Sequence, residues 1–73
     1  MTKSQKAVRE TLVEYGPLAD HALVPIMQHE SQVRMSSSGI RSRRAELTAA
    51  GTVVEFDKIK MPSGRMATVW MAR

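Results

Sequence analysis

At Gly51 the residue pattern of this chain changes period, and that change bounds what it can fold into. Before Gly51 the apolar residues recur at helical spacing: Val8, Leu12 and Tyr15 at i, i+4 and i+7, and Ile40 and Leu47 seven apart. After it, "TVVEFD" (52–57) and "MATVWMA" (66–72) are rich in Val, Thr, Phe and Trp, which fit a pleated, half-buried surface. Between them "KIKMPSGR" carries Pro62 and Gly64, both turn residues. Helices first and one hairpin last make an α+β chain, and 73 residues hold a single small domain, residues 1–73.

The helix boundaries follow from cap chemistry. "TKSQ" has the form of a capping box, with Thr2 as N-cap and Gln5 at the third helical position, so helix 1 is expected at about residues 3–15. Thr11 shares the face of Val8 and Leu12, and Gly16-Pro17 ends the helix. Leu18 reads as a short buried connector. Asp20 is the expected N-cap of helix 2, at about 20–30, with Leu23, Ile26 and Met27 inward. Pro25 lacks an N–H and crowds the preceding turn, which predicts a kink, or a proper start only near Val24. Ser36 caps helix 3, at about 37–50, with Met35 and Ile40 at the two positions of a hydrophobic staple. Gly51 suits the left-handed position after its last turn. The hairpin takes about 52–72, with Lys58, Lys60 and Arg65 at its tip. The expected core is Val8, Leu12, Leu23, Ile26, Ile40, Leu47 and Trp70. Met27 and Met35 join it, whereas Met61 is open to a partner. Trp70, on a strand, reads as core rather than as a stacking platform for bases.

Several functions find no support in these residues. The chain has no cysteine, which fits a reducing cytoplasm and excludes disulfide and thiolate–zinc scaffolds. No apolar run approaches membrane-spanning length, and "MTKSQKAVRE" lacks the apolar stretch of a signal peptide. His21 and His29 are eight apart with no second ligand pair, so no metal site is expected, and His21 reads as exposed in the first turn of helix 2. There is no glycine-rich phosphate loop and no set of residues that sequence alone can read as a triad. The expectation is a cytoplasmic protein with neither enzymatic activity nor a cofactor.

Charge points elsewhere. The net charge is +4, and its distribution is uneven: residues 1–33 carry three Lys/Arg against four Asp/Glu, residues 34–73 eight against three. A basic half on a near-neutral half suggests one face that meets a polyanion.

Three helices followed by a two-stranded hairpin is the order of a winged helix-turn-helix. "SGIRSRRAEL-TAAG-TV", followed by a basic hairpin with "SGR" and Val69-Trp70, resembles the recognition helix and wing of MarR-type regulators. It resembles small phage-encoded winged-helix proteins more closely still. The likeness covers about residues 16–71. It implies a DNA-binding domain serving transcriptional control or a task such as phage recombination control. Ser37 stands where the usual pattern has proline at the first position of the recognition helix, which leaves the cap chemistry intact. MarR-type regulators dimerise through helices outside the winged core, and this chain runs only from helix 1 to the second hairpin strand. Ligand-controlled repression is therefore not carried over, and a monomer or weak homodimer is expected.

Helical geometry assigns roles within helix 3. At about 100° per residue, Ile40 and Leu47 define the inward direction, and Arg43 and Arg44 lie on the two flanks. Ser38, Arg41, Ser42, Ala45 and Ala49 occupy the outward face. Small residues let a helix approach the major groove closely. Arginine matches guanine O6 and N7, serine serves either partner, and an alanine methyl can touch thymine. Ser38, Arg41, Ser42 and Ala45 are thus the expected base contacts on double-stranded DNA. Phosphate contacts are expected from Ser37 and Gly39 at the helix N-terminus, Arg43 and Arg44 on the flanks, and Lys58, Lys60 and Arg65 on the wing. The alternative is a protein–protein interaction module, such as a phage protein that docks on a host factor. That reading calls for an apolar patch around Met61, Met66 and Val24, and for arginines neutralised by Glu46, Glu55 and Asp57.

Overall fold

A computed structural model describes residues 1–73. The chain is a small α+β domain with three helices and a three-stranded antiparallel sheet. The order is α1 (Lys3–Tyr15), β1 (Leu18–Ala19), α2 (Asp20–Glu30), α3 (Ser37–Ala49), β2 (Val53–Lys60) and β3 (Met66–Ala72).

Local chemistry accounts for most boundaries. The Thr2 hydroxyl accepts from the Gln5 N–H at 3.1 Å, and the Gln5 side chain accepts from the Thr2 N–H at 2.9 Å, so α1 opens on a complete capping box. The Ser36 hydroxyl accepts from the Gly39 N–H at 3.1 Å and opens α3. Gly51 has φ +79°, the left-handed conformation that lets the chain leave α3 and enter β2. The hairpin tip closes with the Met61 N–H donating to the Arg65 carbonyl at 2.7 Å and Gly64 at φ +88°.

Helix α2 departs from expectation in three ways. It begins at Asp20, with Ala19 in the N-cap position and no side-chain cap. The Asp20 carboxylate does not cap because α3 engages it. The helix is continuous through Pro25 and does not wait for Val24. The carbonyl that Pro25 leaves without a donor belongs to His21; both residues are exposed, so that carbonyl can meet water. Finally, Val24 is buried and Ile26 is only half-buried. Leu23, Val24 and Met27 span a narrow stripe, and Ile26 falls about 100° from its centre.

Leu18 is more than a connector. With Ala19 it forms a two-residue strand in the register Leu18–Trp70 and Ala19–Val69, so β3 is the central strand in the order β1-β3-β2. Strand β2 pairs with β3 from Val53–Ala72 to Lys60–Met66, with one irregularity between Glu55 and Asp57 that leaves Phe56 outside the ladder.

One cluster joins all three helices to β2: Val8, Leu12, Leu23, Val24, Met27, Ile40, Leu47 and Val53, with Ala7, Leu18, Met35, Trp70 and Ala72 packed around it. Only nine of the 73 residues are buried, so each carries a large share of the hydrophobic stabilisation. Tyr15, on the same face of α1 as Val8 and Leu12, is 45% exposed. It lies in the last helical residue, beyond the cluster, and lines a cleft with Glu10, Glu14 and Glu30. Partial burial, then the charges of Glu30 and Glu14, raise its hydroxyl above the ordinary tyrosine value. No helix is long and apolar enough to cross a membrane.

Candidate nucleic-acid interface

Helix α3 turns Ile40 and Leu47 into the core and leaves Ser38, Arg41, Ser42 and Ala45 exposed. Ala49 is exposed as well, so all five residues that helical geometry assigns to the outward face lie there. The N-terminal turn is partly committed. The Gly39 N–H, expected to serve a phosphate, is taken by Ser36, and a Cβ at Gly39 would stand 3.2 Å from the Ser36 hydroxyl. The glycine therefore serves the cap itself. Ser37 and Ser38 hold the first-turn N–H groups that helical bonding leaves free. Around them, Gln28 reaches the Ser37 hydroxyl at 3.5 Å, and the Ser38 hydroxyl lies 3.3 Å from that of Ser36.

The two flanking arginines, expected at phosphates, are held by carboxylates. Arg43 donates through Nε and Nη2 to the two oxygens of Glu46, both at 2.7 Å. Gln5 of α1 donates to the same carboxylate at 2.9 Å, so the group ties α1 to α3. These bonds, Arg43 first and Gln5 second, lower the Glu46 carboxyl below its ordinary value. Arg44 donates to both oxygens of Asp20, at 3.0 and 2.7 Å, and its guanidinium lies 4.0 Å from the centre of the Trp70 ring. Its side chain is 15% exposed, so Arg44 belongs to the packing between α2, α3 and β3. Trp70 is accordingly half core and half platform, with the core on one side and a cation on the other.

Arg41 has no carboxylate partner, and neither do Arg34, Lys58, Lys60, Arg65 or Arg73. Their positions relate to one another through β3. Arg41 and Thr68 line one cleft, together with His21, Arg44 and Trp70. Thr68 is paired with Lys58 across the ladder, and Met66 with Lys60. Residues opposite each other in an antiparallel pair share a face, and residues two apart on a strand do so too. Lys58 and Lys60 therefore stand on the face of Thr68 and Trp70, the one that Arg44 of α3 covers. Arg65 follows in the exposed turn at the hairpin tip.

Of the three residues that docking would expose, Val24 is buried, Met61 is half-buried and Met66 is exposed, and Phe56 and Ile59 of β2 are exposed as well. Of Glu46, Glu55 and Asp57, only Glu46 pairs with an arginine; Asp57 accepts from the Lys58 backbone N–H at 2.7 Å. Arg44's engagement with Asp20 is what sequence reasoning missed. An Asp at the start of helix 2 and a Trp on a strand are the only sequence signals for it, and neither names Arg44 as the partner. No protein-family model, curated protein or solved structure matches the chain.

Proposed function

We propose that this chain is a minimal winged helix-turn-helix domain that binds double-stranded DNA through α3 and the β2–β3 wing, in the control of transcription or recombination. The observation that carries the proposal is the continuity of unpaired cations from α3 to the wing: Arg41 shares a cleft with Thr68, and Thr68 shares a strand face with Lys58 and Lys60. Ser38, Arg41, Ser42 and Ala45 meet base edges in the major groove. Ser37, Lys58, Lys60 and Arg65 meet phosphates. Arg44 sets the angle between α3 and the wing by gripping Asp20 and Trp70. Arg43, whose side chain is 34% exposed, reaches a phosphate only by exchanging Glu46 for it.

A titration of the protein against random duplex DNA at several salt concentrations tests this reading. With about three phosphates neutralised, by Lys58, Lys60 and Arg65, log K falls against log salt with a slope of about −3, and single-stranded DNA binds more weakly. Duplex binding that ignores salt, or none at low salt, would contradict it.

A further inference from the structure

The cleft between α2, α3 and β3 has a volume of about 380 Å³ and is lined by Asp20, His21, Arg41, Arg44, Ala67, Thr68 and Trp70. Its charged and titratable groups come from two elements: Asp20 and His21 from α2, Arg41 and Arg44 from α3. Strand β3 adds none. Asp20 and Arg44 neutralise each other at 2.7 Å. What remains is the Arg41 guanidinium and the His21 imidazole, with Thr68 of β3 lining the same cleft. His21 is exposed, and neither it nor Thr68 makes a side-chain hydrogen bond within the protein. The other histidine, His29, lies outside this cleft and 3.9 Å from Glu30.

We propose that this cleft seats one phosphodiester of the duplex backbone, with protonated His21 and the Thr68 hydroxyl donating to its oxygens. The assignment rests on the duplex-binding reading and adds a contact to it. Arg41 at the edge of the cleft contributes attraction while its own donors stay available to base edges.

A pH dependence follows. Imidazole changes charge between about pH 5 and 8, whereas a phosphodiester keeps its single negative charge across that range. Phosphate favours the protonated imidazole, so binding takes up a proton, and by reciprocity a lower pH strengthens binding. Affinity is therefore gained as pH falls through the imidazole range and lost as pH rises above it. The wing lysines and the arginines keep their charge throughout and give no such dependence.

The test is duplex affinity at pH 6 and pH 8, at fixed salt, for the wild type, His21→Gln, His21→Arg and His29→Gln. The wild type and His29→Gln should bind about threefold or more tightly at pH 6 than at pH 8. His21→Gln should be flat at the weak level, and His21→Arg flat at the tight level. His21 is exposed, so each variant should fold. In a parallel NMR titration, duplex should shift the His21 ring resonances, and inorganic phosphate at the same total phosphate concentration should not. An equal shift with inorganic phosphate would mean a free-anion site and would overturn the backbone assignment. Full pH dependence in His21→Gln, or none in the wild type, would overturn the cleft while leaving duplex binding standing. A wild type that binds no duplex at either pH would overturn both.

Discussion

Arg44 of α3 holds both carboxylate oxygens of Asp20, at 3.0 and 2.7 Å, while its guanidinium carbon lies over the Trp70 ring, 4.0 Å from the ring centre. One side chain thus joins α3 to the first residue of α2 and to the central strand. Asp20→Asn or Arg44→Ala leaves the other charge half-shielded and unpaired. The expected loss is about 1–3 kcal/mol, between the values for exposed and buried pairs. Arg44→Lys should recover little of it, because an ammonium can neither fork onto a carboxylate nor stack flat on an indole. Thermal unfolding followed by Trp70 fluorescence checks this; a wild-type melting temperature for Arg44→Ala would contradict it.

The core carries more. Leu47 is 2% exposed and lies among residues from every helix and β2. Leu47→Ala should cost about 2–5 kcal/mol, a large part of the stability of so small a domain. Chemical denaturation measures it, and a loss below about 1 kcal/mol would mean that the helices do not share one core.

Glu46 makes a pH prediction. Its carboxyl is lowered from the ordinary value of 4.5 by the hydrogen bonds from Arg43 and then Gln5. A carboxyl with a depressed folded-state value stabilises the fold above its unfolded value and loses that contribution as pH falls through the folded one. Acidification below pH 4.5 should therefore destabilise the wild type more than Glu46→Gln. Melting curves taken from pH 7 downward would show the two proteins converging; parallel curves would sink the prediction.

Much of the fold could be read from neighbours in the sequence. The caps at Thr2 and Ser36 and the left-handed Gly51 depend on residues a few positions away, and all three are found as expected. The parts that were not legible depend on distant partners. Local spacing makes Asp20 a cap, but Arg44, 24 residues on, engages it. The pairing of Arg43 with Glu46, three residues on, is local and within reach of the sequence; what is not legible is Gln5, 41 residues away, which ties that carboxylate to α1. Strand β1 was missed because two residues carry no period; they become a strand only where Trp70 and Val69 meet them. The outward face of α3 was legible because an amphipathic helix states it in its own spacing. Nothing local distinguishes an arginine that solvates a helix from one that locks it.

The central claim is that α3 reads bases and the wing positions the backbone. Arg41 is exposed on α3 between Ser38 and Ala45, and Arg65 is exposed at the end of the wing turn. Neither has an ion-pair partner, so Arg41→Ala and Arg65→Ala should both keep the wild-type melting temperature. The measurement is a competition titration of both variants on a selected site and on random duplex. Arg41→Ala should lose about 1–3 kcal/mol on the selected site and much less on random duplex. Arg65→Ala should weaken both duplexes by similar factors and reduce the salt slope by about one. Equal losses for Arg41→Ala on the two duplexes, or unchanged affinity in both variants, would contradict the account.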